Sequence, residues 1–105
     1  MSATNETTKQ ILQYLFDQRV FAWRQNTVGI PTERGWRTAA KTGVADILAV
    51  LPKNGRLLAV EVKTGRDTLR PEQLGFGRNI EAMGGVYLVV KDFPDFLDKW
   101  NSIPL

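Results

Sequence analysis

Cysteine and histidine are both absent from this 105-residue sequence. The absence of cysteine excludes disulfides, thiolate nucleophiles and zinc sites built on thiolates. The absence of histidine excludes a histidine general base and histidine metal ligands. A metal ion bound by these residues would therefore have oxygen ligands, which suit Mg²⁺, Mn²⁺ or Ca²⁺.

Long apolar runs are missing as well. No run approaches the ~20 residues that a membrane span requires, and the first residues lack the basic and apolar parts of a signal peptide. Hydrophobic content is 43% and charged content 24%, which is ordinary for a globular protein. We therefore expect one domain over residues 1–105, located in the cytoplasm and without a membrane partner.

Positive charge is concentrated in the middle of the chain. From Arg19 to Arg70 there are ten Lys and Arg residues and four acids, a net charge of +6 against +3 for the whole chain. A basic segment of this kind is typical of a protein that binds a polyanion. A solvated basic surface is the alternative, and charge alone leaves both open.

Hydrophobic periodicity predicts an α/β protein with the element order αβββαβα, in which helices flank a mixed sheet. The predicted helices cover about 4–18 and 71–83 and begin again at Asp92; the predicted strands cover 21–26, 46–51, 56–63 and 85–90. Glycines and a proline in residues 27–43 predict a long basic loop. Gly75 and Gly77 interrupt the second helix, where they would permit close packing against the sheet or a partner.

Three polar residues of a predicted hairpin carry the chemical signal. Glu61 and Lys63 are two apart on a strand and share a face. If residues 52–55 all form the turn, Asp46 lies opposite Glu61; if only residues 54–55 form it, Asp46 lies opposite Lys63. Either register places all three side chains on one face, with opposite Cβ atoms about 4.5–5.5 Å apart.

Two carboxylates this close repel each other unless a cation lies between them. The residues around them on both strands are apolar, so burying these charges without compensation is costly. A divalent ion together with Lys63 would supply that compensation. The alternative is a simple ion pair between Lys63 and one carboxylate on a solvated hairpin.

These residues also resemble a known family. Gly43-Val44-Ala45-Asp46, Glu61-Val62-Lys63 and Gln73 are similar to the motifs of the PD-(D/E)XK nuclease superfamily. The segments 23–27 (Trp-Arg-Gln-Asn-Thr) and 84–87 (Gly-Gly-Val-Tyr) resemble its VRR-NUC branch, which includes small phage and bacterial nucleases like Holliday-junction resolvases.

The resemblance extends from about Glu6 to Val90 and implies a restriction-endonuclease-like fold. It also implies metal-dependent hydrolysis of DNA in a bacterial or phage-infected cell. One departure is Ala45, which replaces the proline usually found before the aspartate. Proline at that position shapes the turn rather than the chemistry.

The resemblance implies a metal site for Mg²⁺ or Mn²⁺. Asp46 and Glu61 would be its carboxylate ligands, with the Val62 carbonyl beside them. Glu6 of the first helix would support the metal shell, with a solvated helix N-terminus as the alternative.

The resemblance also implies two catalytic roles beside the metal. Lys63 would orient or deprotonate the attacking water and offset charge at the phosphate. Gln73 would contact the site or the backbone phosphate. For Gln73, an ordinary residue of a first helical turn is the alternative.

Basic residues around these strands are candidates for contacts with DNA phosphates, which position a duplex without reading its sequence. They are Arg24, Arg34, Arg37, Lys41, Arg66 and Arg70. For any single one, a solvated charge is the alternative. Trp36 would either stack on an unpaired base or pack in the core.

The expected substrate is branched DNA such as a four-way junction, a preference that comes only from the resemblance. The alternatives are a general DNA nickase and a catalytically silent nucleic-acid-binding module. Resolving a junction needs two cuts, so we expect a homodimer. The chain has more large aromatic residues than one small core easily buries, and aromatic residues are enriched at the centres of interfaces. We therefore expect some of them at the dimer interface, unless all of them pack within the monomer. They are Trp23, Trp36, Phe76, Phe93, Phe96 and Trp100.

Overall fold

A computed structural model of the chain describes residues 2–25, 29–32, 35–38 and 43–104, and it describes no side chain between residues 26 and 42. Its elements, in chain order, are α1 (Ala3–Asp17), β1 (Phe21–Arg24), β2 (Gly29–Thr32), β3 (Gly35–Thr38), β4 (Ile47–Val50), β5 (Leu57–Val62), α2 (Pro71–Ala82), β6 (Val86–Val90) and α3 (Phe93–Asn101).

Four of the strands form a mixed sheet in the order β1-β4-β5-β6. The pairs β1–β4 and β4–β5 are antiparallel, whereas β5 and β6 are parallel. Parallel neighbours need a crossover connection, and α2 supplies it. The predicted combination of helices with a mixed sheet is therefore confirmed.

The predicted loop over residues 27–43 is wrong in part. Strands β2 and β3 pair there as an antiparallel hairpin, with Ile30 opposite Arg37 and Pro31 opposite Trp36, so two strands are added to the predicted order. Ile30 and Trp36 are residue types that favour strands. The proline that suggested a loop is tolerated because both strands of a two-stranded sheet are edges.

The hairpin of β4 and β5 adopts the longer of the two predicted turns. Ile47 pairs with Val60, which places Asp46 opposite Glu61. The Leu51 N–H donates to the Arg56 carbonyl at 2.8 Å and closes the turn over residues 52–55. Asp46 therefore faces Glu61 rather than Lys63.

Helices α1 and α3 pack on one face of the sheet, and α2 packs on the other. The core between the sheet, α1 and α3 contains fully or almost fully buried side chains from all three: Ile11, Leu15, Ile47, Ala49, Leu58, Val60, Val90, Phe96 and Trp100. This core makes the sheet a rigid support for polar groups on its opposite face.

Most of the aromatic residues expected at a dimer interface pack within the monomer. Phe96 and Trp100 are buried, and Phe93 stacks on Phe96 with ring centroids 6.2 Å apart. Phe76 packs edge-on against Tyr87 at 6.3 Å. Of the set, Trp23 is exposed, and the side chain of Trp36 lies outside the described residues.

The two glycines of α2 have different surroundings. A Cβ at Gly77 would lie 2.4 Å from the Tyr87 ring, whereas a Cβ at Gly75 would meet nothing within 4 Å. Gly77 therefore lets α2 approach β6, which is the packing against the sheet that the sequence left open. Nothing in the structure explains Gly75.

None of the helices in the described residues is both long and apolar enough to cross a bilayer.

Candidate active site

The structure brings Asp46, Glu61, Lys63 and Gln73 together on the face of the sheet that α2 covers. Asp46 immediately precedes β4, and its Oδ2 accepts a hydrogen bond from the Val62 N–H at 2.7 Å. Lys63 follows β5, and its Nζ lies 3.7 Å from Oε1 of Glu61. The shared face predicted from the register is therefore present.

Glu61 is the most constrained polar side chain of this group. It is only 3% exposed, and its Oε1 accepts a hydrogen bond from Nε2 of Gln73 at 3.1 Å. Its Oε2 is buried and has no hydrogen-bond partner among the described residues. A buried acceptor without a partner is costly, so this oxygen is suited to a ligand from outside the chain.

Gln73 acts both as a helix residue and as a site contact. It is buried in the first turn of α2, and its Oε1 accepts a hydrogen bond from the Arg70 N–H at 2.9 Å. That bond fixes the amide so that its Nε2 faces Glu61. Gln73 is thus a residue of the first helical turn that also contacts Glu61, and its catalytic role stays a prediction.

Two contacts hold the first turn of α2 over the sheet. The Tyr87 hydroxyl donates to the Gln73 carbonyl at 3.3 Å. Gly43 approaches from the loop before β4 so closely that a Cβ there would lie 2.5 Å from the Glu72 carbonyl oxygen. These packing roles for Gly43 and Tyr87 cannot be read from the sequence pattern, because each depends on the path of a distant segment.

Lys63 lies between two carboxylates. Its Nζ is 3.7 Å from Glu61 and 3.6 Å from Oδ2 of Asp67, and the Lys63 side chain is 7% exposed. Asp67 was not among the expected site residues, and because it lies in the loop between β5 and α2, its spacing from Lys63 does not indicate the contact. The pair of contacts keeps the ammonium group beside Glu61.

The electrostatics of the site favour a positive charge. Burial raises the pKa of Glu61 to about 8; the charge of Asp46 contributes to the rise and Lys63 opposes it. Burial also raises the pKa of Tyr87 to about 12, with contributions from the charges of Glu61 and Asp46. Both shifts come mainly from burial, and the neighbouring carboxylate charges add to them, so that a proton or a cation beside Glu61 is favoured.

Glu6 is not brought into this group. It is exposed in the first turn of α1, and no cluster of three or more acidic side chains that could hold a metal occurs within the described residues. The N-terminus of α1 does reach the end of β5, where the Thr4 and Thr64 hydroxyls are 2.7 Å apart.

The basic residues expected to contact phosphates lie in different places. Arg66 and Arg70 are exposed on the loop between Lys63 and α2. Arg24 donates to Asn5 of α1, so its guanidinium lies towards the opposite face of the sheet. The side chains of three others lie outside the described residues: Arg34, Arg37 and Lys41.

The residues present fit a hard divalent cation. The described residues provide two converging carboxylates, from Asp46 and Glu61, and Oε2 of Glu61 has no other partner. Mg²⁺ is usually bound by one or two carboxylates and keeps several waters. A third acidic side chain is therefore not required, and backbone carbonyls and water complete such a shell.

A scan against protein-family models finds no family that matches this chain, and a search of curated proteins finds no match. Its function is therefore inferred from the chemistry of the site.

Replacing Gly43 tests the contact that holds α2 over Glu61. Gly43 and Gly55 both have positive φ, 82° and 70°, so alanine should cost about 1–2 kcal/mol of backbone strain at either position. Gly43→Ala should cost roughly 1–3 kcal/mol more, since its Cβ would collide with the α2 backbone. Urea denaturation of both variants measures the difference, and equal losses of unfolding free energy would contradict the contact.

The raised pKa of Glu61 predicts a pH dependence of stability. The folded protein holds this proton more tightly than the unfolded chain, so stability falls as pH rises from about 4.5 to about 8. Thermal denaturation in EDTA, compared with Glu61→Gln across this range, isolates the effect because other groups titrate in both proteins. Glu81→Gln, an exposed change at the far end of α2, should keep the wild-type profile; a parallel profile for Glu61→Gln would show that Glu61 does not hold the proton.

Proposed function

We propose that this protein is a metal-dependent endonuclease that hydrolyses DNA phosphodiester bonds. The observation that carries the proposal is the buried Oε2 of Glu61, which has no partner among the described residues and lies on the face to which Asp46 contributes a second carboxylate. Such a pair in an apolar sheet is difficult to explain as a structural feature alone.

Asp46 and Glu61 would hold Mg²⁺ or Mn²⁺, with the Val62 carbonyl as a further oxygen donor. When bound, the ion lowers the pKa of water and neutralises charge on the phosphoryl group. The Val62 N–H orients Asp46 through its 2.7 Å hydrogen bond. Gln73 occupies Oε1 of Glu61, which directs the ligand to Oε2.

Lys63 would act on the attacking water or the phosphate. Its ammonium group is held beside Glu61 by the carboxylates on both sides. In that position it can orient the water or offset the negative charge of the phosphate. Because Lys63 is almost fully buried, it acts at the metal site rather than as a general contact to DNA.

The basic central segment supports a polyanionic substrate. Arg66 and Arg70 flank Lys63 and Gln73 and are exposed, which suits contacts to phosphates on either side of the cut. The preference for branched DNA and the homodimer, which would supply two active sites for a four-way junction, belong to the proposal as implications of the family resemblance.

Cleavage assays test the activity. Labelled linear, flap, splayed and four-way DNA are incubated with the protein in Mg²⁺, Mn²⁺, Ca²⁺ or EDTA. Asp46→Asn, Glu61→Gln and Lys63→Ala should each lower the cleavage rate at least ~100-fold, the usual size of a lost catalytic group. EDTA should abolish cleavage by the wild-type protein.

The control variant is Glu81→Gln, an exposed carboxylate distant from the site that should cleave at the wild-type rate. Wild-type cleavage by a folded Asp46, Glu61 or Lys63 variant would remove that residue from the mechanism. Equal rates on all substrates would replace branch preference with general nicking, and cleavage in EDTA would refute the metal site.

A further inference from the structure

The face of the sheet that carries the candidate site is covered unequally. Helix α2 lies over β5 and β6, whereas no helix of the described residues packs on the β1–β4 half of this face. Phe21 and Trp23 of edge strand β1 are 71% and 36% exposed there. Their ring centroids are 5.3 Å apart and the rings are tilted by 46°.

Strand alternation places both rings on the same face as the carboxylates. Phe21, Trp23 and Gln25 point to one side, and the β1–β4 register sets Gln25 opposite Asp46. The Gln25 N–H donates to the Asp46 carbonyl at 2.8 Å. Trp23 is two residues from Gln25, so it lies roughly 7 Å along the strand from the level at which Asp46 and Glu61 face each other.

The surface between the rings and the site is apolar. Leu48 and Val50 of β4 pair with Trp23 and Phe21, and both are half-buried, whereas Ile47 and Ala49 on the other face are fully buried. We refer to Phe21, Trp23, Leu48 and Val50 as the aromatic strip. It leads from the open edge of the sheet to the candidate site.

The polar edge of the indole is already used within the chain. The Trp23 Nε1–H donates to Oε1 of Gln25 at 3.1 Å, which also restrains the ring. The strip therefore presents π surface and apolar carbon to a partner. Restrained aromatic rings on a sheet face are the elements on which nucleic-acid-binding domains stack unpaired bases.

The charges around the strip complement a phosphate backbone. Arg19 and Lys53 are exposed at the end of the strip that is distant from the site. Strands β1 and β4 contain no acid, and the neighbouring acid on the α1 side is Asp17. If a second copy of the chain docked on the aromatic strip through a two-fold axis, the same cations of both copies would face each other. Their repulsion disfavours a second copy as the partner.

We infer that the aromatic strip is a stacking platform for unpaired bases of the strand whose phosphate enters the Asp46–Glu61 centre. This inference rests on the proposed function and names the feature of the substrate that the enzyme selects. The ~7 Å separation corresponds to about two nucleotides of a stacked strand, at 3.4 Å each. Paired bases in a continuous duplex cannot reach the rings, so the platform selects branch points, flaps and single strands.

Binding assays test the platform without relying on cleavage. The probe is a fluorescent thymidine oligonucleotide in EDTA, with a blunt duplex for comparison. Trp23→Ala should weaken oligonucleotide binding by about 5- to 150-fold, which corresponds to ~1–3 kcal/mol for one stacked base. Phe21→Ala should weaken it in the same direction, and duplex binding should change less than about twofold.

Met83→Ala is the matched control, because Met83 is 86% exposed but lies at the C-terminal end of α2, which packs over β5 and β6 rather than β1. It should leave oligonucleotide binding unchanged. A loss equal to that of Trp23→Ala would show a non-specific apolar effect and would overturn the platform.

Abasic oligonucleotides identify the stacking contact itself. With the base removed at the stacked position, the wild-type protein should bind as weakly as Trp23→Ala does, and the substitution should have no further effect. A full additional loss on the abasic probe would overturn the inference. Light scattering tests whether a second copy of the chain binds the strip instead. If the wild-type protein is a dimer that Trp23→Ala converts to a monomer, and the substitution causes no base-dependent loss of binding, the strip is a dimer interface.

The two proposals fail in distinguishable ways. Metal-dependent cleavage with oligonucleotide binding unaffected by Trp23→Ala overturns the platform alone. Base-dependent binding through Trp23, without cleavage in Mg²⁺ or Mn²⁺, supports the platform and overturns the endonuclease.

Discussion

Burying a carboxylate with one unpaired oxygen costs free energy that the rest of a fold must offset, and Glu61 is such a group. Its Oε1 is paired with Gln73 while its Oε2 is buried without a partner among the described residues. Asp46 adds a second negative charge, and together with burial it raises the pKa of Glu61 to about 8. A divalent cation would relieve the charge repulsion and supply the missing partner at once, and an ion held there could supply the Lewis acid for the proposed phosphodiester hydrolysis.

The surrounding structure fixes these groups from three directions. The turn over residues 52–55 sets the register that places Asp46 opposite Glu61. The loop before β4 and the Tyr87 hydroxyl both contact the first turn of α2, and this places Gln73 above Glu61. Meanwhile α1 and α3 fill the opposite face with apolar side chains. The polar centre therefore lies on one face of the sheet, and the close-packed core that supports it lies on the other face.

Much of this arrangement follows from local sequence. The apolar strands around the turn, the period-2 spacing of Glu61 and Lys63, and the proline at the start of α2 are local signals, and the elements they predict are present. The β2–β3 hairpin was missed because its glycine and proline resemble loop residues when edge pairing is not considered. Gly43 and Tyr87 act through contacts between distant segments, which periodicity does not encode. The contact between Lys63 and Asp67 lies in a loop, where spacing along the sequence does not fix which side chains meet. The aromatic residues of α3 were assigned to an interface because composition cannot show that Tyr14, Phe93, Phe96 and Trp100 pack together.

The most direct test of the central claim is the coupling between cation binding and the Glu61 proton. Calorimetric titration with Mn²⁺ near neutral pH, repeated in two buffers of different ionisation enthalpy, measures both quantities. Since the pKa of Glu61 is raised to about 8, the account predicts that each Mn²⁺ displaces about one proton and that Glu61→Gln abolishes binding. No Mn²⁺ binding to the wild-type protein, or binding that is unchanged in Glu61→Gln, would contradict it.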